Sequence, residues 1–505
     1  RVAGDHPAKL TALGVSLVEL VLVGVVWAGY STAEANGGTR LQLTMSADWI
    51  SSFGIHFALG IDGIALTMLA LTAVLVPVVL LASWAHGSTE GELPSGQRFA
   101  GYFATILVME TFMMGVFLAT DVFLFYVVFE SMLVPMYFLI GRWGGPRKQY
   151  AAMKFFLYSL LGGLVMLASL IGLYLESVRI LGTGTFDWRE LVALAPQIPH
   201  TTQIWLFLGF FVAFAIKAPL VPLHTWLPDA GAEAPIGSAV LLVGVLDKVG
   251  TFGFLRYCLP LFPSASRSLA PLVLVLAVLG VLYGALVAVG QSDLKRWVSY
   301  TSIAHFGFIA LGVFAFTEQA GAGAVLYMVN HGIATGLLFL VVGMIIARGG
   351  SRKIADYRGM AKRTPLLAGM FLLAVLCALA LPGTNSFVSE FLVLLGSYPT
   401  QPVYAILATT GIVLAALYVL WMYQRVMQGP EGGDGVVAAR AQGRLVDVTR
   451  LEVAVLAPLV ALTLLLGFYP KPVLDVITPS VTATLTELGA PASDPVPATA
   501  EEGTR

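Results

Sequence analysis

"AFAIKAPLVPLHTWLPDA", residues 213–230, continues a long apolar run, yet it carries Lys217, His224 and three prolines, Pro219, Pro222 and Pro228. Proline cannot continue a helix, because it lacks the N–H and its ring meets the carbonyl one turn earlier. A lysine at the centre of a bilayer costs about 2.5–3.5 kcal/mol on insertion scales. The two features together predict a helix that stops at membrane depth beside a buried charge. Irregular backbone is tolerated there only inside protein or against a water-filled cavity.

The surroundings decide the class. The chain of 505 residues is 58% hydrophobic and 11% charged, with a mean hydropathy of +0.85. Soluble domains carry roughly 25% charged residues. Apolar runs long enough to cross a bilayer recur along the whole length. They predict an all-α polytopic membrane protein with thirteen spanning segments, near 11–30, 59–84, 100–119, 121–141, 152–175, 203–228, 236–258, 268–290, 296–315, 321–347, 368–397, 402–428 and 452–469. The first run is longer than the roughly 7–15 residues of a signal-peptide core and reads as a spanning helix. Longer stretches outside the membrane are confined to 31–58, 176–202, 429–450 and the tail after 470, which leaves no room for a soluble domain.

Lysine and arginine set the orientation. Alternate loops (1–10, 85–98, 142–154, 229–235, 291–296, 348–363 and 425–450) hold 19 basic residues, and the opposite loops with the C-terminal tail hold 6. The first set therefore lies on the cytoplasmic side. Cys258 and Cys377 sit in different apolar runs and no CxxC motif or Cys/His cluster is present, which argues against an iron–sulfur or structural zinc site. No glycine-rich phosphate loop opens a helix after a strand, and no basic patch with interleaved aromatics suggests nucleic acid.

A second segment is interrupted, at "ALALPGTNSFVSEF", residues 378–391, by Pro382, Gly383 and Asn385. Interrupted helices in corresponding positions of two halves point to an ion pathway between inverted repeats. Here the halves are 100–258 and 268–428, five segments each, flanked by 1–99 and 429–505. Lys217 and Glu390 are 173 residues apart, Glu130 and His305 175, and the breaks at Pro219 and Pro382 163. The repeat is therefore approximate.

Ionisable residues inside these segments are few, and each needs a partner, water or a task. The principal candidates for proton transfer are Glu130, Lys217, Lys248, His305, His331 and Glu390, with His224, Glu110 and Asp247 in supporting roles and Glu19 beside them. Movement of a carboxylate near Lys217 would change whether that lysine holds its proton. Histidine titrates near neutrality and suits proton transfer, although either imidazole alone reads equally well as a hydrogen-bonded packing residue. His224 reads as a cap on the break or a proton carrier. Glu390 reads as a cap on the half-helix beginning near Ser386 or as a terminal donor and acceptor near an exit.

Four stretches carry a resemblance: "AFAIKAPLVPLHTWLPDAGAEAP" (213–235), "SDLKRWVSYTSIAHFGF" (292–308), "LPGTNSFVSEF" (381–391) and "FLFYVVFESMLVPMYFLI" (123–140). They closely resemble the antiporter-like membrane subunits of respiratory complex I, NADH:quinone oxidoreductase, of the chain M or subunit 4 type, over nearly the whole chain. The resemblance implies fourteen helices, two inverted five-helix repeats with two broken helices, and a hydrophilic axis across the membrane. It implies that Lys217 pairs with Glu130, that Lys248 is the central lysine, that His305 and His331 link it onward, and that Glu390 is the outer charge. Sister subunits and the related multisubunit cation/proton antiporters, the alternative family, usually carry lysine at that last position. FMN, iron–sulfur clusters and quinone are implied in other subunits, with no cofactor in this chain. The implied partners are the other membrane and peripheral subunits, neighbouring antiporter-like subunits above all, and the lipid bilayer. The sequence departs from the family at Gly231, where histidine is common. Thirteen segments against fourteen imply a family helix preceding Arg1. The expected function is proton translocation from cytoplasm to outside across a prokaryotic plasma membrane, driven by redox chemistry elsewhere in the complex. A haem-binding electron carrier with paired histidines and a purely structural subunit are the rival expectations.

Overall fold

The computed structural model describes residues 5–84 and 99–489; the predicted cytoplasmic loop 85–98 and the ends of the chain lie outside them. Among the described residues twelve helices are long and apolar enough to cross a membrane. Each falls on a segment read from the sequence. The remaining predicted segment, 368–397, is two shorter helices, Pro365–Ala378 and Asn385–Ser397. Three helical segments form the centre: Ile236–Leu261, Leu294–Phe314 and Glu318–Gly349 are almost wholly buried, whereas Pro7–Gly29, Pro402–Met427 and Arg450–Phe468 turn most of their surface outward. The outward apolar side chains, such as Val18, Val413 and Phe468, are what a lipid-facing bundle requires, because lipid does not penalise them.

Both predicted breaks are present. The helix His200–Lys217 stops, and the chain turns through 218–225 before Trp226–Glu233 begins. The second break passes through Ala380 and Gly383 with φ of +58° and +96°; at Gly383 only glycine adopts such a value without strain. The predicted segment 121–141 is interrupted at Met132 into Val122–Ser131 and Leu133–Trp143, because Pro135 has no N–H for the Ser131 carbonyl. Glu130 stands at this interruption.

Three features depart from the sequence reading. The stretch 31–58 contains an antiparallel hairpin, Gln42–Ile50 with Ile55–Ile61. The strand covers the start of the segment predicted at 59–84, so the helix begins later, at Gly63, capped by Asp62 Oδ1 on the Ala65 amide at 2.8 Å. The tail after 470 folds as a helix, Lys471–Leu488, whose buried face includes Val476, Ile477, Ser480, Val481 and Thr484. Gly63 allows that helix to approach: a Cβ there would lie 1.8 Å from the Val476 carbonyl oxygen.

The loops sort as the basic residues predict. At one end Asp229 meets Lys154 and Arg296, and Glu233 meets Arg147 and Arg352, joining 142–154, 229–235, 291–296 and 348–363. At the other end Arg40 pairs with Glu487, Asp121 bridges to Asp187, and Gln203 accepts from Ser264.

Candidate functional site

Lys217 is the last residue of its helix and is fully buried. Beyond it, Pro219 can give no hydrogen bond to the Ala215 carbonyl; the Leu220 amide takes it at 2.9 Å, and the Trp226 indole donates to Ile216 O at 2.8 Å. The freed carbonyls are thus satisfied within the break, as buried backbone requires. The Lys217 ammonium makes no hydrogen bond among the described residues and lies over the rings of Phe129 and Phe155, 5.1 and 5.3 Å from their centroids. Such contacts are worth about 2 kcal/mol or more when desolvated.

Glu130 does not form the ion pair that the resemblance implies. Its Oε1 has no hydrogen-bond partner among the described residues, although the two side chains are close enough to act on each other electrostatically. The Glu130 carboxyl occupies the space that a side chain at Gly163 would fill: a Cβ there would be 1.7 Å from Oε1. Asp247, a supporting candidate in the sequence, is fully buried and acts electrostatically on both Lys217 and Lys248. His224 stands apart, edge-on to Tyr283 with ring centroids 5.1 Å apart, and hydrogen-bonds to none of the other candidates. Glu110 is buried on a different helix, Phe99–Leu118, away from this line.

The segment bearing Lys248 is α-helical only in pieces. Turns of π-helix at Leu242–Leu246 and Phe254–Cys258 flank the short helix Lys248–Gly253. Single π turns inside α-helices are frequent at functional sites. Here the Lys248 ammonium turns back to donate to the Val243 carbonyl and also donates to His331 Nδ1 at 2.6 Å. The close crossing is made by Gly244 and Gly332: a Cβ on Gly332 would lie 2.7 Å from the Gly244 oxygen.

With Lys248 as an ammonium, the contacts set the tautomers. An ammonium only donates, so His331 Nδ1 then accepts and its proton sits on Nε2, which faces Ser302 Oγ at 3.1 Å. A carbonyl only accepts, so His305 Nε2 is the donor in its 3.1 Å bond to Ala378 O, and His305 Nδ1 is left open. Ala378 ends the first half of the interrupted helix, so His305 satisfies a carbonyl that the break releases. The two imidazole rings lie 5.2 Å apart, nearly perpendicular, and His305 lies 5.9 Å from the Tyr327 ring. Tyr327 donates to Glu390 Oε2 at 2.7 Å.

Asn330 and Asn385 clamp the second break. Asn330 Nδ2 donates to Asn385 O at 2.8 Å and Asn385 Nδ2 to Asn330 O at 3.2 Å, while Cys377 Sγ donates to Asn385 Oδ1. Glu390 is the sixth residue of the half-helix Asn385–Ser397, beyond its first turn, where the Ser386 amide donates to Asn385 Oδ1 at 2.9 Å. The capping role left open for Glu390 has no hydrogen bond to support it, since the bond it makes is to Tyr327.

At the cytoplasmic end, Asp229 bonds Lys154 at 2.7 Å and Arg296 at 2.5 Å. Burial alone would raise its pKa, but these two cations outweigh it and hold the carboxyl below its usual range. Gly231, where the family often has histidine, packs against Ser299: a Cβ would be 2.5 Å from its Oγ. Lys295, Ser299, Ser302 and His305 form one buried stripe on the helix Leu294–Phe314 at helical spacing.

The structure thus brings Lys217, Asp247, Lys248, His331, His305 and Glu390 into one buried series, with Glu130 beside its first member. Tyr327, Ser302 and the asparagine clamp were not singled out from the sequence. Tyr327 precedes His331 by one helical turn, the i,i+4 relation that puts both on one face, and that spacing was the available signal.

Comparison with known proteins gives, among others, four matches. Residues 119–415 match the family described as "NADH:quinone oxidoreductase/Mrp antiporter, TM". The chain is 45% identical to NADH-quinone oxidoreductase subunit M of Mycobacterium tuberculosis, over 98% of this chain and 91% of that protein. Among solved structures, a chain of respiratory complex I from Thermus thermophilus with bound NADH superposes with a TM-score of 0.80 at 32% identity, covering 95% of this chain and all of that one. A chain of the Mrp complex from Dietzia superposes with a TM-score of 0.76 over 96% of this chain and 98% of that one; at 22% identity it shows a shared fold.

Proposed function

The chain belongs to the subunit M family of NADH:quinone oxidoreductase, and from that premise we propose that it carries protons along the series Lys217–Asp247–Lys248–His331–His305–Tyr327–Glu390. As a multi-pass subunit of the membrane arm of complex I in the prokaryotic plasma membrane, it works beside the other membrane and peripheral subunits. Residues 100–258 and 268–428 are read as the two inverted repeats, each supplying one broken helix.

The observation that carries the reading is the contact between Lys248 and His331 at 2.6 Å, joined through His305 and Tyr327 to the Glu390 carboxyl. Protons enter from the cytoplasmic end beneath Asp229 and Glu233. Lys248, bonded to a neutral His331 Nδ1, passes a proton to that nitrogen, and His331 Nε2 then has one to give. The step to the open Nδ1 of His305 is too long for a direct hydrogen bond, so a water or a ring rotation completes it. Glu390, held by Tyr327, is the last acceptor before the outside. Glu130 and Asp247, acting on the lysines through space, govern how readily each ammonium lets go of its proton. Redox chemistry in other subunits, where FMN, iron–sulfur clusters and quinone belong, supplies the energy.

Lys248→Met and Glu390→Gln, each in the assembled complex reconstituted in vesicles, test the reading. Protons moved per electron should fall in both variants while NADH still reduces quinone. An unchanged ratio in either variant overturns the path.

A further inference from the structure

We propose that Arg256, paired with Asp62 beside Trp188, is a charge barrier that closes the first repeat to protons on the outer side, so that protons reaching Lys248 travel on to His331. This rests on the proton path through Lys248. Lys248, Phe252 and Arg256 recur every four residues on the buried segment Ile236–Leu261, the spacing that sets side chains on one face. The segment begins next to the cytoplasmic loop 229–235 and runs outward, so Arg256 lies about 12 Å beyond Lys248 at the rise of a helix.

The Arg256 guanidinium is 2% exposed, with Nη2 2.9 Å from Asp62 Oδ1. It lies 5.4 Å from the centroid of Phe252 and 5.2 Å from that of Trp188. Its Nε and Nη1 meet no hydrogen-bond acceptor among the described residues. Asp62 caps the helix Gly63–Ala82 through Oδ1, so its negative charge is shared with a helix N-terminus. The guanidinium is thus the member of the pair that meets Phe252, the residue between it and Lys248. From the outside the site is covered. The Trp188 indole donates to the Arg256 carbonyl at 2.7 Å, and Arg40 also lies over the Trp188 ring at 4.7 Å. Arg40 in turn binds Glu487 and Thr484 of the helix Lys471–Leu488.

A guanidinium repels an approaching proton and, unlike lysine, histidine or a carboxyl, gives none up, so it relays none. Asp121, a second buried acid at this end, is committed as well: its oxygens take the amides of His56, Phe123 and Leu124 at 3.0, 2.9 and 2.9 Å. Passage straight outward from Lys248 therefore ends at a fixed cation, whereas the lateral contact with His331 can exchange a proton.

The test is the passive proton permeability of vesicles carrying the reconstituted complex, with an imposed pH gradient and no NADH. Asp62→Asn combined with Arg256→Gln removes both charges at once, because loss of one partner strands a buried charge. The gradient should collapse several-fold faster with this variant than with wild type, and the leak should disappear when Lys248→Met is added. Arg256→His, which keeps a polar ring in the site but can release a proton, should leak as well; it decides the matter if the double variant does not assemble. Assembly is read from NADH-driven quinone reduction. Vesicles as tight as wild type with an assembled variant would make the pair purely structural and overturn the proposal, as would a leak that Lys248→Met does not stop. The assay involves no turnover, so its failure is distinct from failure of the pumping path, which shows as an unchanged proton-to-electron ratio in Lys248→Met or Glu390→Gln.

Discussion

Replacing Tyr327 by phenylalanine removes one oxygen from the centre of the proposed path and nothing else. The hydroxyl donates to Glu390 Oε2 over 2.7 Å, with both residues buried. The ring itself packs 5.9 Å from His305 and 6.3 Å from Phe308, contacts that phenylalanine keeps, so the helix Glu318–Gly349 should be undisturbed. A hydrogen bond to a charged group contributes about 1.5–3 kcal/mol, and about 1.4 kcal/mol is tenfold in an equilibrium. Without its donor, ionised Glu390 should therefore be about tenfold to a hundredfold less accessible, and proton release from it becomes slow. The assay is NADH-driven proton uptake into vesicles containing the reconstituted complex, with electron transfer measured in the same sample. Fewer protons per electron at full assembly is the expected result. A normal ratio at every driving force would refute the reasoning, because Tyr327 would then be a packing residue and the chain from His305 to Glu390 would have no link.

Three further outcomes follow from the same contacts. Gly163→Ala should lower the proton-to-electron ratio without touching an ionisable residue, because its Cβ would stand 1.7 Å from Glu130 Oε1 and push that carboxyl aside; an unaltered ratio in the assembled variant would show that the position of Glu130 does not matter. Arg256→Met should destabilise the subunit by about 3–5 kcal/mol, since Arg256 pairs with Asp62 at 2.9 Å and both are almost fully buried; an unchanged melting temperature of the purified complex would contradict this. Asp229, whose pKa is lowered in the fold by Lys154 and Arg296 against the effect of burial, contributes stability that is present above the unfolded carboxyl value of about 3.9 and is lost as pH falls through the lower folded value. Asp229→Asn should therefore abolish part of the loss of thermal stability on acidification below about pH 4, and superposable pH profiles for the two proteins would rule that out.

Much of the architecture could be read from residues whose position carries a large cost. Lys217, Lys248, Glu130 and Glu390 were visible because charge inside an apolar run is rare and expensive. The breaks were visible because Pro219, Pro222 and Pro382 cannot sit within a continuous helix. The sidedness of the loops was visible in the placement of lysine and arginine. What stayed hidden carries no such cost. Tyr327 is at home in an apolar helix, and its partner lies 63 residues away. The π-helical turns around Lys248 leave no mark in composition, since Leu242–Leu246 reads as any helix would. The helix Lys471–Leu488 is rich in Thr and also carries Lys471, Asp475, Ser480 and Glu487, so it reads as a polar tail; its apolar face becomes meaningful only when Gly63 gives it a surface to rest on. The hairpin at 42–61 was obscured because its second strand runs straight into the apolar helix that follows. The Glu130–Lys217 contact was expected from the resemblance, but a conserved pair of residue types does not fix their separation, and here Lys217 rests on aromatic faces.

The central claim is that one hydrated line joins the buried lysines to Glu390. The most direct test is a density map of the intact complex at a resolution that places waters, inspected between Lys217 and Asp247 and between His331 Nε2 and His305 Nδ1. The account predicts ordered water within hydrogen-bonding distance of these groups. A dry, apolar gap at either place, persisting while the complex turns over, would contradict it.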